Sequence, residues 1–177
     1  MRILGICGSL RSAAYSLLTL QALSTVSPQS LELSIRRLLD VPMFIPEEHS
    51  ERRFPPSAAL LREQVVAADG IVITTPEYNH SIPGALKNAL EWLHGRPGLL
   101  EDKPVAVIST APGPHGGINA QHALRLILKS MGARALTLPD LSFSDIGTKF
   151  DAEGALIDEP TRKSLEAFIA EFEASIA

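Results

Sequence analysis

A buried strand, a polar loop and a helix follow one another in a single stretch, and this order constrains the fold most strongly. Residues 71–75 read IVITT, a β-branched run typical of a strand that is covered on both faces of a parallel sheet. Residues 76–81 are polar and aromatic, and the apolar residues between Ala85 and Leu93 recur at helical spacing. This order predicts an open α/β sheet, in which ligands bind at the carboxyl ends of the strands.

The same alternation of strand and helix patterns runs through the rest of the sequence. Strands are predicted at residues 2–7, 31–35, 71–75, 105–109 and 134–138. Helices are predicted around residues 17–23, 58–68, 83–93, 117–131 and 160–175, with long loops at residues 36–56 and 139–158. Such alternation favours a parallel sheet with right-handed crossovers and helices on both faces. Five strands suit the order 2-1-3-4-5, which places the switch point between the first and third strands.

The composition limits the number of domains that the chain can form and the classes of partner that it can bind. With 177 residues, of which 45% are hydrophobic and 20% charged, the chain is predicted to form a single domain over residues 1–177. The net charge of −4 gives no support to a nucleic-acid or anionic-membrane partner, because both favour basic surfaces. No apolar run approaches the ~18 residues of a membrane span, and no signal-peptide core precedes the first strand. No membrane insertion and a cytoplasmic location are therefore expected.

The single cysteine and the histidines are predicted to have no role in the chemistry. Cys7 lies inside the first predicted strand, where burial raises the pKa of a thiol, so we expect an inert small hydrophobe. One cysteine also excludes an intrachain disulfide. His80, His115 and His122 lack metal-ligand spacing with Asp, Glu or Cys, and no metal site is expected.

The loop after the first strand, residues 8–16, reads GSLRSAAYS and leads into a helix. Backbone N–H groups and the helix dipole favour a bound anion at such a position. Ser9, Arg11 and Ser16 add hydroxyl groups and one fixed positive charge. The loop has neither the G-x-G-x-x-G pattern of a dinucleotide site nor the G-K-[ST] of a Walker loop, so a single phosphate group is the simplest ligand. The alternative is that Arg11 is a solvated charge and the two serines are helix caps.

Three motifs occur together in the chain. They are GSLR at residues 8–11, TPEYNHSIPGALKNALEW at residues 75–92, and Ser109 with GPHGGINAQHALR at residues 113–125. Together they resemble the NADPH-dependent FMN reductase family of flavodoxin-like proteins, which includes quinone, azo-dye and chromate reductases. The resemblance covers most of the chain. It implies a flavodoxin-like three-layer sandwich, FMN as the cofactor, NADPH or NADH as the cosubstrate, and a homodimer or homotetramer.

The resemblance also assigns residues to the phosphate group of FMN. Ser9 and Arg11 of the GSLR motif would bind it, together with polar residues a few positions later. The chain departs from the family at this point, because the usual GSFN continuation is AAYS here. Ala14 stands where a serine is common and Ser16 where an asparagine is. Ser16 is still assigned to the phosphate, and one hydrogen-bond donor to the phosphate is expected to be missing.

The flavin ring is assigned to the two later motifs. The ring is expected to lie against the loop after the third strand, at Pro76, Glu77, Tyr78 and Asn79. The pocket would be completed by a serine and two glycines, whose missing side chains permit close approach of the backbone: Ser109, Gly113 and Gly116. A solvated loop charge is the alternative for Glu77.

The function that the resemblance implies is an FMN-dependent NAD(P)H oxidoreductase. Hydride would pass from NAD(P)H to bound FMN, and two electrons would then pass to a quinone, flavin, azo or metal-oxyanion acceptor. No catalytic side chain is assigned, because the flavin carries the chemistry. The loops at residues 36–56 and 139–158 would rim the site and select the small-molecule acceptor.

Two other functions remain as hypotheses. One is a flavodoxin-like electron carrier without NAD(P)H activity, which the weak net charge and the absence of a Thr/Ser-rich phosphate loop disfavour. The other is an NAD-binding Rossmann domain in which Arg36 and Arg37 take a 2′-phosphate, and the missing glycine fingerprint argues against it.

Overall fold

The computed structural model describes residues 1–95, 98–136 and 141–176, and a parallel sheet lies at its centre. The strands are β1 (Arg2–Cys7), β2 (Glu32–Arg37), β3 (Gly70–Pro76), β4 (Pro104–Thr110), β5 (Arg134–Ala135) and β6 (Leu141–Phe143). Their order is β2-β1-β3-β4-β5, and β6 also pairs with β4. The predicted parallel sheet of order 2-1-3-4-5 is confirmed.

Two short strands share the outer edge of β4. Pro104 and Val105 pair with Arg134–Ala135, and the carboxyl end of β4 pairs with Leu141–Phe143. Residues 141–143 lie within the predicted loop at residues 139–158, because a three-residue strand is too short to show the alternation on which a strand prediction depends. Residues 137–138 of the predicted fifth strand and residues 139–140 of the predicted loop lie outside the described residues.

Helices cover both faces of the sheet, as predicted. They are α1 (Tyr15–Val26), α2 (Pro46–Ser50), α3 (Pro56–Ala67), α4 (Gly84–Leu93), α5 (Ile118–Ser130) and α6 (Glu159–Ile176). On one face, α3, α4 and α5 pack through buried leucines such as Leu61, Leu90 and Leu124. On the other face, α1 and α6 pack through Leu20 and Phe168.

The central strands contribute to both cores, which explains their continuous apolar sequence. Because side chains alternate along a strand, Leu4 and Ile6 of β1 lie in the core under α3 to α5, whereas Ile3 and Cys7 lie in the core under α1 and α6. A strand buried on both faces has no polar side to alternate with, so it reads as an apolar run.

The predicted loop at residues 36–56 is more ordered than its prolines indicate. It contains α2, and the Asn88 side chain of α4 holds it in place by donating to the Pro42 carbonyl at 2.8 Å and accepting from the Phe44 N–H at 2.8 Å. The helix predicted around residues 58–68, α3, begins at Pro56, and the Ser57 hydroxyl donates to the Asp40 carbonyl at 2.7 Å. In the part of the chain described, no helix is both long and apolar enough to cross a membrane.

Candidate functional site

A cleft of about 210 Å³ opens at the carboxyl edge of the sheet, at the predicted switch point. Three loops line it with Ser9, Arg11, Ala14, Tyr15, Ser16, Pro76, Glu77, Tyr78, Thr110, Ala111 and Pro112. The predicted site residues among these are Ser9, Arg11, Ser16, Pro76, Glu77 and Tyr78. The structure does not place the other predicted residues in the lining, namely Asn79, Ser109, Gly113 and Gly116.

The first loop presents an uncapped helix N-terminus beside a free cation. Ala14 occupies the N-cap of α1, so no side chain caps the helix, and its first turn holds no acidic residue. The guanidinium of exposed Arg11 makes no hydrogen bond or ion pair with any described residue. Ser9 is buried, and its Oγ accepts from the Arg11 N–H at 3.3 Å. Unsatisfied N–H groups, a helix dipole and a positive charge at one place form a site for an anion.

Ser16 also lines the cleft, but its hydroxyl already has a partner. Its Oγ lies 3.1 Å from Oγ1 of Thr110, and both residues are buried. Thr74 Oγ1 donates to the Ser16 carbonyl at 2.9 Å. These bonds attach the first turn of α1 to β3 and β4. Thr110 lines the cleft but is not among the predicted site residues, although its position directly after the predicted strand 105–109, at the carboxyl edge of the sheet, marks it as a candidate.

The loop after β3 folds into a tight hairpin. The Tyr78 N–H donates to the Ser81 carbonyl at 2.9 Å, and the Ser81 N–H donates to the Tyr78 carbonyl at 3.1 Å. Between them Asn79 and His80 have φ values of 50° and 60°, the pattern of a type I′ turn. Asn79 suits this backbone because asparagine tolerates the left-handed region. Its side chain is exposed at the tip, so Asn79 shapes the turn that carries Tyr78 to the cleft.

Glu77 links the loop after β3 to the start of α5. Its Oε2 accepts from the backbone N–H groups of Asn119 and Ala120 at 3.0 and 3.2 Å, and its Oε1 accepts from Asn119 Nδ2 at 3.1 Å. The N-cap residue of α5 is Gly117, which has no side chain to offer. The Glu77 carboxylate therefore caps α5 from a different loop, and Glu77 is not the solvated charge of the alternative prediction.

These contacts set the ionisation of Glu77. Partial burial raises the pKa of the carboxyl group, but the hydrogen bonds from the Asn119 side chain and from the Ala120 and Asn119 backbones outweigh it. The nearby His80 ring also lowers the pKa of Glu77. The pKa of Glu77 consequently lies below its ordinary value, and the side chain is a carboxylate at neutral pH.

We expect Glu77→Gln to lower the free energy of unfolding of the flavin-free protein by about 1 to 3 kcal/mol at pH 7, because the partly buried N–H groups of Asn119 and Ala120 lose a charged acceptor. A lowered folded pKa contributes stability that is present above the ordinary glutamate pKa of about 4.3 and is lost as the pH falls through the folded pKa. The difference between the wild type and the variant should therefore shrink below about pH 4. Urea unfolding over a pH series measures it.

Glu91→Gln is the matched control, because Glu91 is an exposed carboxylate paired with Lys87 one turn away on α4. Exposed pairs of this kind contribute about 0.3 to 0.5 kcal/mol, so this variant should differ little from the wild type at any pH. A Glu77→Gln deficit that stays constant from neutral to acid pH would show that the charge of Glu77 does not stabilise α5.

Ser109 and Gly116 hold the loop after β4 against the sheet. Ser109 is fully buried, and its Oγ donates to the Gly116 carbonyl at 2.7 Å while accepting from Gln121 Nε2 at 3.1 Å. Gly116 has a φ of 58°, and a Cβ there would lie 2.6 Å from the carbonyl carbon of Ser142. Glycine is needed at position 116 for the approach to β6 rather than for the approach to a ligand. Gly113 lies in open space.

Tyr15 connects the cleft with the later loop. Its ring lines the cleft and stacks on Phe150 with a centroid distance of 6.4 Å. A Cβ at Gly147 would lie 2.9 Å from the Tyr15 hydroxyl, so residues 146–150 pack closely on this side chain. The described part of the predicted loop at residues 139–158 thus reaches the rim of the cleft through Tyr15.

Cys7 lies behind the first loop and is fully buried, as its sequence setting indicates. Burial raises the pKa of its thiol more than the hydrogen bond to the Ser9 carbonyl, the charge of Arg37 and the contact with Thr74 lower it. The reactive thiolate is disfavoured at neutral pH, so Cys7 acts as a small apolar side chain.

Comparisons with known proteins identify the family of the chain. The family model for NADPH-dependent FMN reductase matches residues 1–147. The quinone reductase of Escherichia coli strain K12 is 34% identical over 175 residues, covering 97% of this chain and 93% of that protein. An NAD(P)H-dependent FMN reductase of Pseudomonas aeruginosa is 33% identical over 167 residues, covering 94% of this chain and 90% of that protein.

A solved structure of similar shape is FerB from Paracoccus denitrificans, described as a flavoenzyme NAD(P)H:(acceptor) oxidoreductase. It superposes with a TM-score of 0.89 at 28% identity and covers 99% of this chain and 96% of its own. Because the family model spans most of the sequence and full-length relatives exceed 30% identity, the chain belongs to the NADPH-dependent FMN reductase family, whose members are oxidoreductases that use FMN with NADPH or NADH.

Proposed function

We propose that the cleft binds FMN and that the enzyme passes two electrons from NADPH or NADH to a quinone. The uncapped N-terminus of α1 beside the unpaired guanidinium of Arg11 carries the proposal, because it is a ready site for the flavin phosphate. Quinone is the first choice of acceptor because the Escherichia coli relative is named a quinone reductase. Free flavin, azo compounds and metal oxyanions are further acceptor classes to compare.

The groups at the first loop fit a phosphate dianion. The guanidinium of Arg11 offers several charged N–H donors, and the hydroxyl of Ser9 adds one O–H donor. Glu77 is the one carboxylate among the described lining residues, and donors of α5 occupy both of its oxygens. Ser16 shares its hydroxyl with Thr110, so its backbone N–H at the start of α1 is the group best suited to meet the phosphate.

The parts of the two later loops that line the cleft fit a flat aromatic ring. Pro76 and Tyr78 lie on one loop, and Ala111 and Pro112 lie on the other, so both walls are largely apolar. The cleft volume of about 210 Å³ is below the ~300 to 1,000 Å³ of closed small-molecule sites, so part of the ring would stay open to solvent. An open ring face can receive the dinucleotide and then the acceptor in turn, which is a ping-pong order.

The protein would contribute binding and positioning to this reaction rather than an acid or a base. FMN held in the cleft would supply the redox chemistry, which is the transfer of two electrons from the dinucleotide to the acceptor. Arg11 and Ser9 would hold the phosphate, Tyr78 would cover the ring and exclude water, and Glu77 would keep the loop of Tyr78 fixed to α5. Asn79, Ser109 and Gly116 would act by shaping the two loops.

The proposal includes a homodimer or homotetramer in the cytoplasm, where NADH and NADPH are available. Tyr78 and Leu10 are 46% and 42% exposed beside the open cleft, so a second copy could cover them and complete the site. Light scattering gives the mass in solution, and a monomer at micromolar concentration would contradict this part of the proposal.

A spectroscopic titration tests the proposed function. Flavin-free protein is titrated with FMN, and NADPH or NADH is then added without oxygen. The visible absorption of bound flavin should bleach and should return when a benzoquinone is added. Absence of FMN binding would overturn the proposed site, and bound flavin that neither dinucleotide bleaches would favour the electron-carrier hypothesis.

A further inference from the structure

Arg37, the last residue of β2, reaches over the end of β1 to the first loop. Its Nη2 donates to the carbonyl oxygens of Leu10 and Arg11 at 3.4 and 3.2 Å. Its Nε is buried and has no hydrogen-bond partner in the part of the chain that the structure covers. The guanidinium is therefore packed behind the loop and directed at two consecutive peptide groups.

Arg36, the residue before Arg37, makes its contacts with a different part of the chain. Its Nη2 lies 2.9 Å from the Asp40 carboxylate and donates to the Ser57 carbonyl at 3.3 Å. Arg36 thus ties the end of β2 to the start of α3, away from the first loop. Two adjacent arginines, which the Rossmann hypothesis assigned together to a 2′-phosphate, have separate structural partners.

The contacts of Arg37 decide which way the donors of the first loop face. In a trans peptide the C=O and the N–H point in opposite directions. When Arg37 binds the carbonyls of Leu10 and Arg11, the N–H groups of Arg11 and Ser12 must face away from it. The Arg11 N–H indeed lies 3.3 Å from Ser9 Oγ, and Ser9 lines the cleft.

We propose that Arg37 is the positioning residue of the phosphate subsite: before the ligand arrives it orients the Arg11 N–H, which holds the Ser9 hydroxyl in the cleft lining, and the Ser12 N–H, and it places a second positive charge behind the loop. The inference rests on the proposed FMN site and extends it to a residue that does not touch the ligand. Preset donors bind an anion more tightly because less ordering is needed on binding.

The test compares two flavins in two adjacent variants. Arg37→Met should raise the dissociation constant of FMN by about 3- to 10-fold and leave that of riboflavin nearly unchanged, because only FMN carries the phosphate. Arg36→Met is the matched control. It removes an adjacent arginine of the same size, so any loss of affinity that it causes should be equal for FMN and riboflavin.

A second measurement does not need the flavin. In flavin-free protein, the NMR order parameters of the Arg11 and Ser12 amides should fall from about 0.85 towards 0.6 in Arg37→Met and should not change in Arg36→Met. If Arg37→Met is too unstable to study, Arg37→Gln, which keeps an amide donor, should show a smaller change in the same direction.

The outcomes separate the inference from the proposed function. Absence of FMN binding by the wild type would overturn the proposed function, while the order parameters would still decide whether Arg37 orders the loop. Normal FMN binding with equal losses for both flavins in Arg37→Met, or with unchanged order parameters, would overturn the role of Arg37 alone.

Discussion

Replacement of Arg11 by alanine is expected to weaken FMN binding by about one to two powers of ten and to change riboflavin binding far less. A charge-assisted hydrogen bond from a guanidinium to a phosphate contributes about 1.5 to 3 kcal/mol. Arg11 lines the cleft and its guanidinium makes no bond to any described residue, so removal of the side chain leaves no buried group unpaired in the flavin-free protein. Fluorescence titration of the flavin-free variant with each flavin gives the two constants.

Tyr78→Ala provides the contrast for this measurement. Tyr78 lines the cleft from an exposed hairpin after β3, so under the proposed binding mode its removal takes away contact with the ring that both flavins share. FMN and riboflavin should therefore weaken alike in this variant, without a large loss of thermal stability. Equal losses for the two flavins in Arg11→Ala would remove Arg11 from the phosphate site.

The largest loss of stability is expected for Gly116→Ala, at about 2 to 5 kcal/mol. Alanine at a φ of 58° enters the left-handed region at a cost of about 1 to 2 kcal/mol. Its Cβ would also lie 2.6 Å from the Ser142 carbonyl carbon, so backbone of the loop or of β6 must move, with a further cost of about 1 to 3 kcal/mol. Urea unfolding of the flavin-free protein measures the sum.

Gly113→Ala, three positions earlier in the same loop, separates these effects from a general sensitivity of the loop. A Cβ at position 113 meets nothing within 4 Å, and the residue does not have a positive φ. Its free energy of unfolding should stay within about 0.5 kcal/mol of the wild type. Similar losses in the two variants would contradict the structural role assigned to Gly116.

The sheet order could be predicted from the sequence because β1, β3 and β4 are buried on both faces and appear as apolar runs between helical patterns. Helices α4 and α6 could also be predicted from the helical spacing of their apolar residues, since one face of each helix is buried. β6 was missed because three residues show no period. The hairpin at Tyr78 was missed because Asn-His lacks the glycine that usually marks a type I′ turn.

For the candidate site, prediction from the sequence is limited in a different way. Residue types at the switch point were enough to locate the cleft, but the direction of each polar group depends on partners that are distant in sequence. Ser16 is bonded to Thr110, 94 residues away, and Glu77 is bonded to Asn119, 42 residues away. A motif shows that a hydroxyl or carboxylate is present, whereas the packed structure decides whether it faces a ligand or another loop.

The cap that Glu77 places on α5 has a consequence for the orientation of any bound ligand. Two helix N-termini, those of α1 and α5, adjoin residues that line the cleft, and each would attract an anion. Glu77 occupies the second with its own negative charge and leaves the first open. The cleft therefore attracts an anion at the N-terminus of α1 and repels one at the N-terminus of α5. A ligand with one anionic end is expected to bind in a single orientation, with that end at α1.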